Sequence, residues 1–254
     1  MNDLMDQSTT RHSHADKNIV TRKLKAKKIE RLIGFDEIGI IRGRLLDVGT
    51  GSDGISHYFA HHNYLQFEVH TVDVCDNLKL HDGFNFHLVQ DCVLPFSDAS
   101  FDIVISNHVI EHVGDKIEQI HHLSELRRVL KPNGVVYLAT PNRWMLKEPH
   151  YQLLLLSWLP PNIRSSYLRW RRGIKHYDCT PLSLQELQRM ISLSGFDFEN
   201  KGVQALRLTL ELEYSKDSAL NCLFAAVPDN ILYKMRGLIP THIFLMKPKM
   251  VSKV

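Results

Sequence analysis

Three groups of residues in this chain have types and spacing that suit chemistry. His108, His112, His150 and His176 carry rings that titrate near neutral pH and can take a proton from a hydroxyl. Asp47, Asp53, Asp73, Asp91 and Asn107 stand in a glycine loop or at the ends of short apolar runs, where carboxylates can meet a cation or a ribose diol. Arg164, Arg169, Arg171, Arg172 and Lys175 are interleaved with Tyr167 and Trp170, with no acid between residues 164 and 175. Guanidinium forks suit phosphates, and aromatic faces suit sugar rings, although such a run also reads as a solvated helix face. The 15 histidines include no H-E-x-x-H and the 4 cysteines no C-x-x-C, so no metal ion is expected.

The sharpest local pattern is Leu45-Leu46-Asp47-Val48-Gly49-Thr50-Gly51-Ser52-Asp53-Gly54. An apolar run enters a glycine loop, and glycines let the backbone turn tightly and approach a ligand. Gly49, Gly51 and Gly54 also fit the dinucleotide fingerprint, so an NAD-dependent oxidoreductase is one reading. Charge separates the two readings. A pyrophosphate is repelled by Asp47 and Asp53, whereas S-adenosylmethionine (SAM) carries a sulfonium and an ammonium and no phosphate. Asp73 ends the next apolar run, where a carboxylate can accept both ribose hydroxyls. Asp91, followed by Cys92-Val93-Leu94-Pro95-Phe96, can meet an adenine amino group between apolar neighbours. Asp47, Gly49, Gly51, Asp73, Asp91, Cys92 and Asn107 are therefore the expected cofactor set.

These residues need a scaffold. Short apolar runs over 44–48, 67–74, 84–90, 101–106 and 135–139 alternate with helical patterns over 55–61 and 116–130. Pro132-Asn133-Gly134 reads as a turn. Strands alternating with helices predict a mostly parallel, doubly wound α/β sheet. Residues 141–182, rich in Trp, Tyr, Pro and Arg, interrupt the rhythm as an inserted helical cap. Ser183-Leu184-Gln185-Glu186 is a capping box that restarts regular structure. A sixth strand is expected over 196–203, part-helical structure over 214–238 and a last strand over 241–246.

Composition bounds the class. The chain has 254 residues, 44% hydrophobic and 23% charged, which suits one globular α/β domain. Its net charge of +3 does not argue for nucleic acid, and no RNA-binding module accompanies the basic run. Residues 1–16 read as a disordered polar tail, and residues 17–33 as a basic helix with seven Lys/Arg opposed only by Glu30. That helix is expected to pack over the cofactor site, with contact to an anionic membrane surface as the alternative. No apolar run approaches the ~20 residues needed to span a bilayer, so a cytoplasmic location is expected. Two amphipathic zones, 153–159 and 220–238, suit either a core cap or peripheral contact with a membrane surface.

Asp47-Val48-Gly49-Thr50-Gly51, Asp91 with Leu94-Pro95-Phe96, Phe101-Asp102-Ile103-Val104 with Glu111-His112-Val113, and Leu126-Arg127-Arg128-Val129-Leu130-Lys131-Pro132-Asn133-Gly134 together resemble class I SAM-dependent methyltransferases. More narrowly they resemble the group that includes ubiquinone-biosynthesis-type enzymes. The resemblance covers about residues 44–142, with a weaker echo over 180–203. Where the family has its third glycine this chain has Asp53, with Gly54 next. The resemblance implies a Rossmann-like sheet of seven strands, with the last antiparallel and beside the fifth.

It is nearly silent on the acceptor. Thr140-Pro141-Asn142-Arg143-Trp144 with Glu148-Pro149-His150-Tyr151 resembles a subgroup linked to surface-polysaccharide and lipid-linked glycan pathways, which implies acceptor contacts for His150 and Tyr151. His176-Tyr177 can close the same cap, and Arg171 represents its basic run. His112, His108 and His150 are the candidate bases. His112 fills a position where the family often has His, which suits a base or a structural role. The leading expectation is O-methylation of a glycan, lipid-linked intermediate or small metabolite. A non-catalytic SAM-binding module acting through a partner is the other alternative.

Overall fold

A computed structural model describes residues 19–148, 150–215, 218, 224 and 226–249. The expected polar tail over 1–16 and part of the amphipathic zone over 220–238 lie outside the described residues.

Seven strands form one sheet in the order β3-β2-β1-β4-β5-β7-β6. They are β1 (Arg42–Val48), β2 (Gln66–Asp73), β3 (Phe84–Leu88), β4 (Phe101–Asn107), β5 (Leu130–Pro141), β6 (Phe196–Asn200) and β7 (Thr241–Pro248). β1 to β5 pair in parallel, and β7 runs antiparallel between β5 and β6. The expected Rossmann-like sheet, with its last strand beside the fifth, is present. Strand order reverses between β1 and β4, which opens a crevice at their carboxyl ends.

The central strands are apolar on both faces because helices cover both. Successive residues alternate between two cores. Leu46, Val104, Val136 and Phe244 meet α4 (Lys116–Val129) and α6 (Leu184–Leu193) through Leu123, Leu126, Leu187 and Ile191. Leu45, Ile103, Ile105 and Tyr137 share the other core with α1 (Ile19–Ile33), α3 (Gly54–Ala60) and α7 (Gly202–Glu213). Between α1 and β1 lies one helical turn, α2 (Phe35–Ile38). Ala26 and Ile29 of α1 are fully buried, so this helix belongs to the same core as the sheet. The capping box forms, with Ser183 Oγ accepting from Glu186 N.

Two expectations need correction. The turn Pro132-Asn133-Gly134 lies inside β5 as a bulge: Phe101 pairs with Leu130 but Ile103 pairs with Val135. The sixth strand stops at Asn200, whose Oδ1 accepts from Gly202 N at 2.9 Å as α7 begins. Residues 202–203 are therefore helical, and α7 is held against α1 by Lys28–Glu213 and Arg31–Glu211 ion pairs. Among its described residues, the inserted cap over 141–182 carries α5 (Pro161–Arg172) and a 3-10 turn (Leu156–Trp158). A small core of Tyr151, Leu153, Leu156, Leu168 and Cys179 holds the rest of it as loops.

Candidate functional site

A cleft of about 980 Å³ opens at the carboxyl ends of β1, β2 and β4, and α1 crosses one side of it with Arg22, Lys25 and Lys28. Arg22 Nε donates to Ser52 Oγ at 3.1 Å, which latches α1 onto the glycine loop. A Cβ on Gly54 would lie 2.5 Å from Arg22 Cβ, so the close approach of the two helices needs this glycine.

The loop after β1 is a backbone device. Gly49 has φ +71°, and a Cβ there would lie 2.3 Å from Val109 Cγ2. Gly51 N donates to Asp73 Oδ2 at 2.8 Å, and Cys75 N donates to Asp73 Oδ1 at 3.1 Å. Each Asp73 oxygen thus holds one backbone donor and keeps a second acceptor site. Gly49, Gly51, Asp73, Asp91, Cys92 and Asn107 all line the cleft. Asp91 Oδ1 accepts from Val93 N at 2.8 Å, starting the turn into Leu94-Pro95-Phe96. Arg128 holds that turn by donating to the carbonyls of Leu94 and Phe96, which ties two of the sequence motifs together physically.

Asp47 is placed differently from expectation. It is buried beneath the loop, where its Oδ2 accepts from Ser56 Oγ at 2.6 Å and Thr50 Oγ1 at 3.2 Å. Burial pushes its carboxyl up to about 6. Asp53 is also buried, and its Oδ2 accepts from Lys79 N at 2.5 Å and Leu80 N at 2.8 Å. Neither lines the cleft, so their carboxylates face a ligand there from beneath the loop and not by contact. The acids facing the cleft are Asp73, Asp91, Glu118, Asp178 and Glu213.

The far side of the cleft is built from side chains. His108 sits at φ +61°, with its N–H donating to Ala139 O at 2.8 Å. Its Nδ1 lies 3.3 Å from Glu111 Oε1. Glu111 is buried in the 3-10 turn Ile110–His112, and its Oε2 accepts from Thr140 Oγ1 at 3.0 Å. Burial alone would raise the Glu111 carboxyl, but the neighbouring His108 and His112 rings help to outweigh it and hold the group below its ordinary value. Burial likewise holds His108 below the ordinary imidazole range. A neutral His108 ring carrying its proton on Nδ1, the nitrogen that faces Glu111, would keep its Nε2 lone pair. His108 is a left-handed residue shortly before the 3-10 turn that carries His112, and both rings line the cleft.

His150 also lines the cleft, with its ring edge-to-face on His112 at 4.9 Å and its Nε2 3.9 Å from Glu111 Oε1. Cys179 Sγ lies 3.7 Å from His112 Nδ1, and burial raises its thiol well above the usual range, so it is not a thiolate nucleophile. The other expected acceptor residues stand elsewhere. Tyr151 is buried in the small core, its OH donating to Asp178 Oδ1 at 2.6 Å and its ring tilted on Tyr177 at 5.6 Å. His176 is exposed. Arg171 is exposed and lies over Trp170, 5.3 Å from the ring centroid. None of Tyr151, Arg171, His176 and Tyr177 lines the cleft; on α5, Arg164 and Leu168 are buried while Arg171 is exposed.

Residues 19–200 match a family described as a methyltransferase domain. The chain belongs to this family. This methyltransferase-family chain is 28% identical over 165 residues to a ubiquinone biosynthesis O-methyltransferase of Caulobacter vibrioides, covering 58% of this chain and 61% of that one. It is 50% identical over 50 residues to a probable S-adenosylmethionine-dependent methyltransferase of Mycolicibacterium smegmatis, covering 20% of this chain and 18% of that one. The matches therefore span between 18% and 61% of the length of these two curated relatives. The fold is shared with phosphoethanolamine N-methyltransferase 2 of Haemonchus contortus in complex with S-adenosyl-L-methionine, at TM-score 0.50 and 16% identity, covering 90% of this chain and 57% of that one.

Family membership sets aside the NAD-dependent oxidoreductase reading. SAM is the cofactor of the class, and the cleft fits it. The diol-ready Asp73, the close backbone at Gly49 and Gly51, and the acids opposite suit a nucleoside with a cationic tail. Sequence reasoning missed Glu111 and Asp178 as members of the site. Glu111 sat in a quoted motif, but its contacts come from His108 and from Thr140 on β5. Asp178 carried no local signal, and neither did the cleft-lining Arg22, Lys25 and Lys28 as individual residues.

Proposed function

We propose that this protein transfers the methyl group of SAM to a hydroxyl oxygen of a small-molecule, glycan or lipid-linked acceptor. SAM, when bound, supplies a methyl carbon activated by its sulfonium, so the acceptor needs alignment and an oxygen lone pair. Asp73 would hold the ribose hydroxyls, Asp91 and Cys92 the adenine edge, and Gly49, Gly51 and Asn107 the remaining polar groups. His108 acts as the base. Glu111 orients its ring through Nδ1, and Nε2 takes the acceptor's proton, a step that adds roughly 10²–10⁴-fold to the rate. His112 and His150 flank the acceptor from the same side. The 3.3 Å contact between His108 Nδ1 and Glu111 Oε1, in a cleft shared with Asp73, carries this reading.

The test is transfer of labelled methyl from SAM onto a panel of hydroxyl compounds, alongside calorimetric SAM binding. Methylated hydroxyl products are expected. SAM binding without transfer to any hydroxyl acceptor would favour a non-catalytic module instead. A second reading has its own observation: ligand-type atoms of His112, His150 and Cys179 lie within 4.8 Å of one another. A divalent ion there would orient the acceptor oxygen, and turnover that falls on chelation and returns with added metal would support it.

A further inference from the structure

All three tryptophans of the chain, Trp144, Trp158 and Trp170, lie in the segment over 141–182, and all three are exposed. Around them stand Leu146, Leu154, Leu155 and Ile163, with Trp170 76%, Leu146 67% and Leu154 62% exposed. These residues form one surface. Trp144 and Trp158 meet edge-to-face at 5.5 Å. Leu155 N donates to Leu146 O at 2.7 Å, and Lys147 bridges to Leu154. Tyr167 donates to Leu154 O and stacks towards Trp170 at 6.2 Å. Leu155 holds φ +57°, a conformation that leucine rarely adopts, at the tip that carries two exposed leucines.

The surface is also cationic. Arg143, Arg169, Arg171, Arg172 and Lys175 belong to it, and the sole acid between residues 143 and 177 is Glu148, which is buried. Arg143 and Arg171 lie over the rings of Trp144 and Trp170. The fold holds the surface rigidly: buried Arg164 donates to the carbonyls of Ser157 and Leu159, and Arg172 donates to Tyr151 O. The opposite side of the same loop supplies Met145, Lys147, His150 and Gln152 to the cleft.

We infer that this face docks on an anionic lipid bilayer. Indole rings and leucines seat at the boundary between headgroups and acyl chains, and the surrounding cations meet the anionic headgroups. Such a mixture without acids complements an anionic interface. Docking would set the loop that carries Met145, His150 and Gln152 between the bilayer and the cleft. The inference does not depend on the O-methylation reading, because it concerns binding and not turnover.

The tryptophans are native probes for the test. The full chain is mixed with vesicles of phosphatidylcholine alone, or of phosphatidylcholine and phosphatidylglycerol in equal parts, and followed by flotation and tryptophan emission. Flotation and a blue shift are expected with the mixed vesicles and not with phosphatidylcholine alone. Each cation near the surface strengthens binding about fivefold, so Arg169→Gln, Arg171→Gln and Lys175→Gln together should weaken partitioning roughly 100-fold. Leu154→Asp with Leu155→Asp should abolish the blue shift while leaving calorimetric SAM affinity unchanged. Absence of flotation with either vesicle would overturn the inference, as would flotation that ignores both sets of substitutions. A monomer–dimer equilibrium abolished by the leucine substitutions, with no flotation, would assign the face to a second copy of the chain.

Discussion

The two sides of the cleft are built by different means. The side formed by the ends of β1, β2 and β3 relies on backbone: positive-φ glycines and N–H groups aimed at one carboxylate, Asp73. The side formed after β4 and β5 relies on buried side chains, with Glu111 touching His108 and Thr140 and facing His150. A backbone site binds whatever its loop is shaped for, and a single side-chain change there alters affinity. A side-chain network sets a proton's position, and a single change there alters rate. This contrast makes the two halves separable by experiment.

The largest effect is expected on the histidine side. His108→Ala should lower kcat by roughly 10²–10⁴-fold with SAM affinity unchanged by calorimetry. Equal losses of both would break the contrast by showing that His108 also holds the cofactor.

The buried Asp47 tests whether the loop needs a charge beneath it. Its folded value of about 6 lies above the ordinary 3.8, so its contribution is favourable below about pH 4 and is lost as pH rises through about 6. The swing is about 3 kcal/mol. Asp47→Asn should remove it: in urea titrations the variant should gain on the parent by about that much between pH 4 and pH 7. A parallel pH dependence in both proteins would mean that Asp47 is not strained by burial.

Asp73→Ala should weaken SAM binding roughly 10–100-fold, the loss of charged hydrogen bonds, with smaller change in kcat at saturating SAM. Near-normal affinity would remove its ribose role. The smallest expected change is in pH dependence. Glu111 raises His108 while burial lowers it, so Glu111→Gln should move the acid limb of kcat/KM to lower pH as well as slowing turnover. An acid limb that stays in place would assign the base to His112 or His150.

The sheet and the cofactor side were legible in the sequence because their signals are local. Leu45-Leu46 runs into Gly49-Thr50-Gly51 within a few residues, Asp73 and Asp91 end or follow their strands, and Ser183 to Glu186 spells its own helix start. The direction of Asp47 was not legible. Its pairing with Ser56 is close in sequence, but whether that places it beneath or within the cleft depends on how α3 packs. The start of α7 was missed because that helix leans on α1, about 180 residues earlier in the chain.

The chain's residue pattern alone determined the fold class, the glycine loop, the carboxylate that ends β2 and the histidines worth testing. Each depends on φ/ψ preference, periodicity or spacing within one element. Tertiary structure decided which of those histidines meets a buried carboxylate, which arginines face outward and where the cap's tryptophans sit. Burial and ionisation depend on neighbours brought together from distant positions, such as His112 beside Cys179 and Tyr151 beside Asp178, and no short window of sequence contains both partners.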